Sequence, residues 1–370
     1  MRETKRFLRQ DGNITRRHLV ASAAGCLSLA ASALAGCGAG SGGDSETSAG
    51  SVELTARDST SIETNDMYEQ SISCFYFDTY IDISAICPEG LLDEADERMA
   101  YFESIFSRTE EGSDIWNVNE AAGEPVEVAP ETIEVIERAL AVSKKSDGLF
   151  DISIGSVSSL WDFVEGVRPD DADIAEGVKH IDWTQISVDE DASTVTLGDP
   201  DMKLDLGGIA KGYIADDLVA MFEEACVEQA SISLGGNVYV MGLSYDGDAW
   251  NVGVQDPNGT YDDAIASISA EDVSVVTSGL YEREFEEDGV TYYHILDPKT
   301  GFPVETDLMS ASVVCDSSTE ADAWATVLFL VGHDVAVSLV EDSDVLADGV
   351  FIDDAGEVTT VDGSSFEVLV

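Results

Sequence analysis

Leu204-Asp205-Leu206-Gly207-Gly208-Ile209-Ala210-Lys211-Gly212-Tyr213 places three glycines and one lysine where a short apolar strand gives way to a helix. Such a corner can hold a phosphate. Glycine lacks a Cβ and tolerates positive φ, so the chain can turn tightly and bring bare N–H groups to an anion; a helix opening at Ile209 or Ala210 adds its positive end. Lys211 supplies a full positive charge. The same residues would also make an ordinary strand-turn-helix connection, so the chemistry depends on what accompanies them. Three further clusters do. Ser233-Leu234-Gly235-Gly236-Asn237-Val238-Tyr239 runs a strand into a glycine pair, and Thr277-Ser278-Gly279 precedes His294-Ile295-Leu296-Asp297-Pro298-Lys299-Thr300-Gly301. In Glu320-Ala321-Asp322-Ala323-Trp324-Ala325-Thr326, Asp322 and Thr326 stand four apart. On a helix that spacing puts a carboxylate and a hydroxyl on one face, both hard oxygen donors of the kind Mg²⁺ prefers. A carboxylate in a first helical turn can also serve only the helix dipole.

The elements that must position these residues alternate irregularly, without βαβ repeats. Residues 73–83 have the alternation and aromatic content of a strand, and Leu91–Phe106 has helical apolar spacing. A helix opens with Pro130 in its first turn, carries Ile133, Ile136, Ala139, Leu140 and Ser143 on one face, and ends at Asp147-Gly148. Phe150-Asp151 lies in a loop, followed by a helical segment around Leu160-Trp161 and a hairpin of 185–188 with 194–197. The glycine corner opens a helix to about Cys226. Residues 230–240, 250–254, 264–268, 273–276 and 291–296 read as strands of an antiparallel meander, and 320–331 as the last strongly apolar helix.

At 370 residues and 44% hydrophobic content the chain can bury a large core. Its formal charge is −56. Residues 1–36 hold six of the eighteen Lys and Arg, so the remainder carries twelve against 72 Asp and Glu, or −60. Nucleic acid and anionic membrane surfaces would repel such a body, which must gather its few cations locally, or recruit a divalent one, to handle phosphate. Thr15-Arg16-Arg17 followed by an apolar, small-residue stretch reads as a twin-arginine export signal, and Leu34-Ala35-Gly36-Cys37 as a lipobox with Cys37 lipidated. Residues 1–36 are then a signal peptide, 37–67 a polar tether, and 68–370 the body, exported and anchored on the extracytoplasmic face of the membrane through lipid alone. Cys74, Cys87, Cys226 and Cys315 remain in the body without a CxxC spacing, which argues against zinc; Cys74 and Cys87 could pair or stay as thiols.

Taken in order, the clusters resemble the ApbE family, the FAD:protein FMN transferases, from about Phe75 to Val331. The resemblance is carried by Phe106-Ser107 with Asn119 beyond it, Ser146-Asp147-Gly148-Leu149-Phe150-Asp151, the Asp205 to Asp216 stretch, Ser233 to Tyr239, Trp250 to Pro257, Thr277-Ser278-Gly279, His294 to Pro303 and Ala321 to Thr326. It implies a two-lobed α+β body with a T-fold-like, largely antiparallel sheet flanked by helices, FAD in a cleft, and Mg²⁺ at the diphosphate. Asp322 and Thr326 would give side-chain oxygens to the metal, with backbone carbonyls from Gly208 and Ala325. Lys211 would face the cofactor and Asp205 hydrogen-bond it, while Phe77, Leu149, Phe150, Asp151 and Leu296 line its pocket. His294, which by itself reads as a strand residue before Asp-Pro, becomes the base. Thr109 stands where the family most often has an aromatic residue that can cover the flavin. The implied reaction moves FMN from FAD to a Thr or Ser hydroxyl of a protein bearing an Asp-x-x-Ser/Thr-Gly-Ala-Ser/Thr motif, and AMP leaves. This chain shows no such motif, so it would modify others. A Mg²⁺-dependent FAD pyrophosphatase and a non-catalytic flavin-binding lipoprotein are the rival readings.

Overall fold

A two-residue turn in left-handed conformation starts the main sheet. Phe77 and Asp78 have φ of 55° and 57° and join strands Met67–Tyr76 and Thr79–Pro88, so residues 73–83 form a hairpin and not the single strand their alternation suggests. Mirror-image turns of this kind match the twist of the paired strands but usually call for Asn or Gly, which is why Phe-Asp carries no turn signal. Tertiary contacts hold it: Phe77 N–H donates to Glu103 Oε1 at 2.9 Å, and Arg283 Nη2 donates to the carbonyls of Phe77 and Asp78 at 3.3 and 3.1 Å.

The computed structural model describes residues 19–21, 67–260 and 262–369. Arg16, Arg17, Cys37 and the tether to residue 66 lie outside the described residues. The fold is α+β and almost wholly antiparallel. Its eight-stranded sheet runs Val358–Thr360, Leu346–Asp353, Leu308–Cys315, Val273–Gly279, Asn237–Met241, Ala230–Leu234, Thr79–Pro88, Met67–Tyr76. Leu308–Cys315 and Leu346–Asp353 are buried on both faces and show no alternation, which hides them from a period-two reading. Helices Leu91–Phe106, Ala210–Glu224 and Ser318–Val331 contribute to cores with Ile81, Ile83, Ile232, Val276 and Val313 on one side of the sheet. On the other side Val238, Val240, Val275, Val314, Val350 and Ile352 pack against Trp250, Val252 and Ile265 of a smaller sheet and against Phe366 beside it. That sheet is ordered Leu19–Ala21, Trp250–Gln255, Ala264–Ala270, Glu367–Val368. The expected helices recur as Leu91–Phe106, Pro130–Lys145, Ala210–Glu224 and Ser318–Val331, and the hairpin as Ile186–Asp189 with Thr194–Leu197.

Two local expectations change. The helical segment expected at Leu160-Trp161 lies earlier, at Gly155–Ser158, where a Cβ on Gly155 would stand 2.5 Å from the Leu204 backbone; the close approach selects the glycine. Trp161 is a buried loop residue donating through Nε1 to the Gly301 carbonyl at 3.2 Å. The strand expected at 291–296 is shortened to Val290–Tyr293, paired with Glu284–Glu287, so His294 sits just past its end. All four body cysteines are thiols. The hairpin register faces Cys74 with Ile81 and Cys87 with Tyr68, which prevents their pairing.

Candidate active site

The glycine corner is held from both sides. Buried Asn119 brackets Leu204, its Nδ2 donating to the carbonyl at 3.0 Å and its Oδ1 accepting the N–H at 2.6 Å. Asp205 N–H then donates to Ile152 O at 2.8 Å. The Asp205 carboxylate accepts Gly207 N–H at 2.9 Å and Ser158 Oγ at 2.6 Å, and faces Arg108 Nε at 3.2 Å. Gly208 owes its place to crowding and not to φ: a Cβ there would lie 3.1 Å from the Phe150 ring and 3.6 Å from Thr326 Oγ1. The helix starts at Ala210, and Lys211 Nζ reaches back to Gly207 O at 3.1 Å while facing Asp322 Oδ1 at 3.6 Å.

The helix Ser318–Val331 crosses Ala210–Glu224 at Gly212, where a Cβ would fall on the Ser318 carbonyl and 2.8 Å from Asp322 Cβ. Buried Asp322 accepts Gly212 N–H on Oδ2 at 2.9 Å. Asp216 fixes the start of the second helix. Its carboxylate accepts Ser317 Oγ, Ser318 N–H, Thr319 N–H and Thr319 Oγ1 at 2.6–3.0 Å. Asp322 and Thr326 thereby face the Gly208 turn, and Ala325 is buried in the core behind them. We expect Asp216→Ala to cost about 2–3 kcal/mol, since several buried donors lose a charged acceptor at once, and urea unfolding checks it.

This donor set suits a divalent cation. Asp322 gives a carboxylate, Thr326 a hydroxyl and the Gly208 turn a backbone approach, all hard oxygens on one side of two locked helices.

His294 N–H donates to Arg283 O at 3.2 Å. The half-buried imidazole is pulled down to about 4, first by burial and then by the charges of Arg283 and Lys211, with Asp205 opposing. At neutral pH it is uncharged and able to accept a proton. Arg283→Ala removes one of these charges, so the His294 pKa rises and the acid limb of the activity profile moves to higher pH; a pH–rate series checks the sign. The native depression also affects folding. Below 6.5 the unfolded chain takes up a proton that the folded chain takes up only near 4, so stability falls as pH drops through that window.

The remaining expected residues divide. Phe77 stands at the hairpin turn bound by Arg283, Phe150 abuts Gly208, and Leu149 is half-buried beside it. Thr109 is exposed, bonded locally to Ser107 Oγ at 3.3 Å. Leu296 is buried against Val157, Trp161 and Ile174. Asp151 is held within its own loop: Oδ1 accepts Ser153 N–H and Oγ, and Oδ2 accepts Trp183 N–H at 3.1 Å. It is a buried loop-organising carboxylate, and that burial raises its pKa. Arg108, Arg283, Ser158 and Asp216 were not singled out by sequence reasoning. The one signal for Arg108 was its place beside Thr109. His180, on the short turn Val178–His180, pairs with Asp199 at 2.8 Å, and His333 opens the helix His333–Glu341.

The sequence profile of the ApbE family matches residues 77–348. An FAD:protein FMN transferase of Treponema pallidum is 38% identical over 268 residues, covering 68% of this chain and 74% of that one. One of Klebsiella pneumoniae is 36% identical over 247 residues, covering 66% and 76%. The crystal structure of the ApbE protein of Thermotoga maritima is 31% identical with a TM-score of 0.73, covering 80% of this chain and 97% of that one. With the profile spanning most of the body and these relatives alongside, the chain belongs to the ApbE family.

Proposed function

We propose that this protein transfers the FMN portion of FAD to a Thr or Ser hydroxyl of an acceptor protein, forming a phosphoester and releasing AMP. The observation that carries this is the convergence of Asp322, Thr326, Gly208 and Lys211 on one corner, with His294 within electrostatic reach of Lys211 and Asp205. Asp322 and Thr326, with backbone carbonyls of Gly208 and Ala325, would hold Mg²⁺. When bound, Mg²⁺ neutralises charge on the diphosphate. Lys211 adds a second positive charge on the same side, where fixed charges lower the barrier without reorganising. The neutral His294 imidazole accepts the proton of the acceptor hydroxyl as its oxygen bonds to the FMN-side phosphorus. The bond from that phosphorus to the AMP phosphate oxygen breaks, and AMP leaves with the electron pair. Acceptors are flavoproteins of Asp-x-x-Ser/Thr-Gly-Ala-Ser/Thr type, and the twin-arginine and lipobox residues support export and anchoring through Cys37.

The test is to incubate the protein with FAD, Mg²⁺ and an acceptor domain carrying that motif, and to weigh the acceptor. A gain of one FMN that is absent with the Asp322→Ala variant supports transfer. Free FMN and AMP with unmodified acceptor would sink it in favour of the pyrophosphatase; FAD bound without turnover would leave only a flavin-binding protein.

A further inference from the structure

We propose that Arg108 is a substrate-binding residue whose guanidinium fork clamps the diphosphate of the dinucleotide beside Lys211. The inference rests on the functional reading above and adds a residue and a ligand group to it. Twelve Lys and Arg serve the whole chain beyond residue 36, against 72 carboxylates. Most of those described pair with surface acids, as Arg138 does with Glu134, Arg168 with Asp171 and Lys179 with Glu176. Arg108, Lys211 and Arg283 gather around one corner, where Asp205 faces Arg108 at 3.2 Å, Asp322 faces Lys211 at 3.6 Å and exposed Asp78 lies 4.0 Å from Arg283. Arg108 and Lys211 flank the Asp205–Gly208 turn, while Lys211, Arg283 and Asp205 all act on His294. A multiply charged anion at the corner would attract all three cations at once, which the single carboxylate beside each does not.

Arg108 also differs in how it is used. Structural Arg98 spends Nε and Nη2 on Asp217 and Glu131 and lies over the Tyr101 and Phe102 rings. Arg108 engages only through Nε, on Asp205 at 3.2 Å. Its Nη1 and Nη2 have no hydrogen-bond or ion-pair partner among the described residues, and its side chain is 33% exposed. Asp205, pinned by Ser158 and Gly207, acts as the aiming device: it fixes the Nε edge and leaves the two terminal nitrogens for a ligand. Two parallel N–H donors on a planar, permanently charged group match two phosphate oxygens, which a lysine cannot do.

The test titrates FAD, ADP and riboflavin into the purified full chain with Mg²⁺, following tryptophan fluorescence. R108A should weaken FAD and ADP about 10- to 50-fold, the scale of lost charge-assisted hydrogen bonds, and leave riboflavin within about twofold. R108K, which keeps the charge on Asp205 but lacks the fork, should fall between, with an unchanged Tm. The inference is overturned if R108A binds FAD and ADP like the wild type. It is overturned equally if riboflavin weakens as much as FAD, or if R108K restores full affinity. A wild-type protein that binds neither FAD nor ADP would overturn the functional reading itself, a result distinct from any of these.

Discussion

Asp322→Ala abolishes transfer, lowering the rate by about 10³-fold or more, or roughly 4 kcal/mol of barrier. The carboxylate is the only charged donor among the four oxygens expected to hold the metal, so its loss leaves the diphosphate charge without its chief partner. The same oxygen pair has a structural task, because Oδ2 accepts the Gly212 N–H where two helices touch. Removing it orphans a buried donor and costs about 1–3 kcal/mol of stability. Asp322→Asn separates the two effects. The amide oxygen still accepts from Gly212, so stability stays within about 1 kcal/mol of the wild type by the same reckoning, yet without the carboxylate charge activity remains lost. Rates measured across metal concentrations and parallel urea unfolding curves decide it. An Asp322→Asn protein with wild-type turnover would remove Asp322 from the site.

Gly212→Ala is expected to damage stability and the site together. Its Cβ would land on the Ser318 carbonyl and 2.8 Å from Asp322 Cβ, both fixed parts of the adjoining helix. No flexible side chain can move aside, so the helices must separate, at about 3 kcal/mol or more. The separation also pulls Asp322 and Thr326 from the Gly208 turn, and activity falls with stability. Gly208→Ala is the milder comparison. There the new methyl meets a ring edge at 3.1 Å and a hydroxyl at 3.6 Å, which small shifts relieve. Unfolding midpoints of the two variants should therefore differ widely. Equal midpoints would mean that the helix crossing tolerates a wider spacing than its contacts indicate.

Much of the site was legible because its chemistry is local. The turn into the helix at Gly207-Gly208, the four-residue spacing of Asp322 and Thr326, and the helices that carry them follow from periodicity and from glycine's missing Cβ; the strand expected before that turn is instead irregular backbone, held by Asn119 and Ile152. Lys211 was legible for the same reason, standing one residue into the helix. The Phe77-Asp78 turn was not, because Phe77, which disfavours left-handed backbone, is held there by Glu103 and Arg283, both distant in sequence. The contact of Asp151 with Trp183 was not legible either, since nothing in the neighbouring sequence reveals that Trp183 N–H will occupy its second oxygen.

The amino-acid order alone determined the glycine corner and the pairing of a carboxylate with a hydroxyl on one helical face, because each depends on contacts within a few residues, while the α+β class came from the family resemblance that those motifs carry. Only the tertiary structure decided which groups surround that corner. Asp216 holding the start of the helix Ser318–Val331, Arg108 facing Asp205, and burial together with Arg283 and Lys211 keeping His294 uncharged all join segments far apart in the chain. Electrostatic effects of this kind depend on distance and burial in space, and neither is written in local sequence.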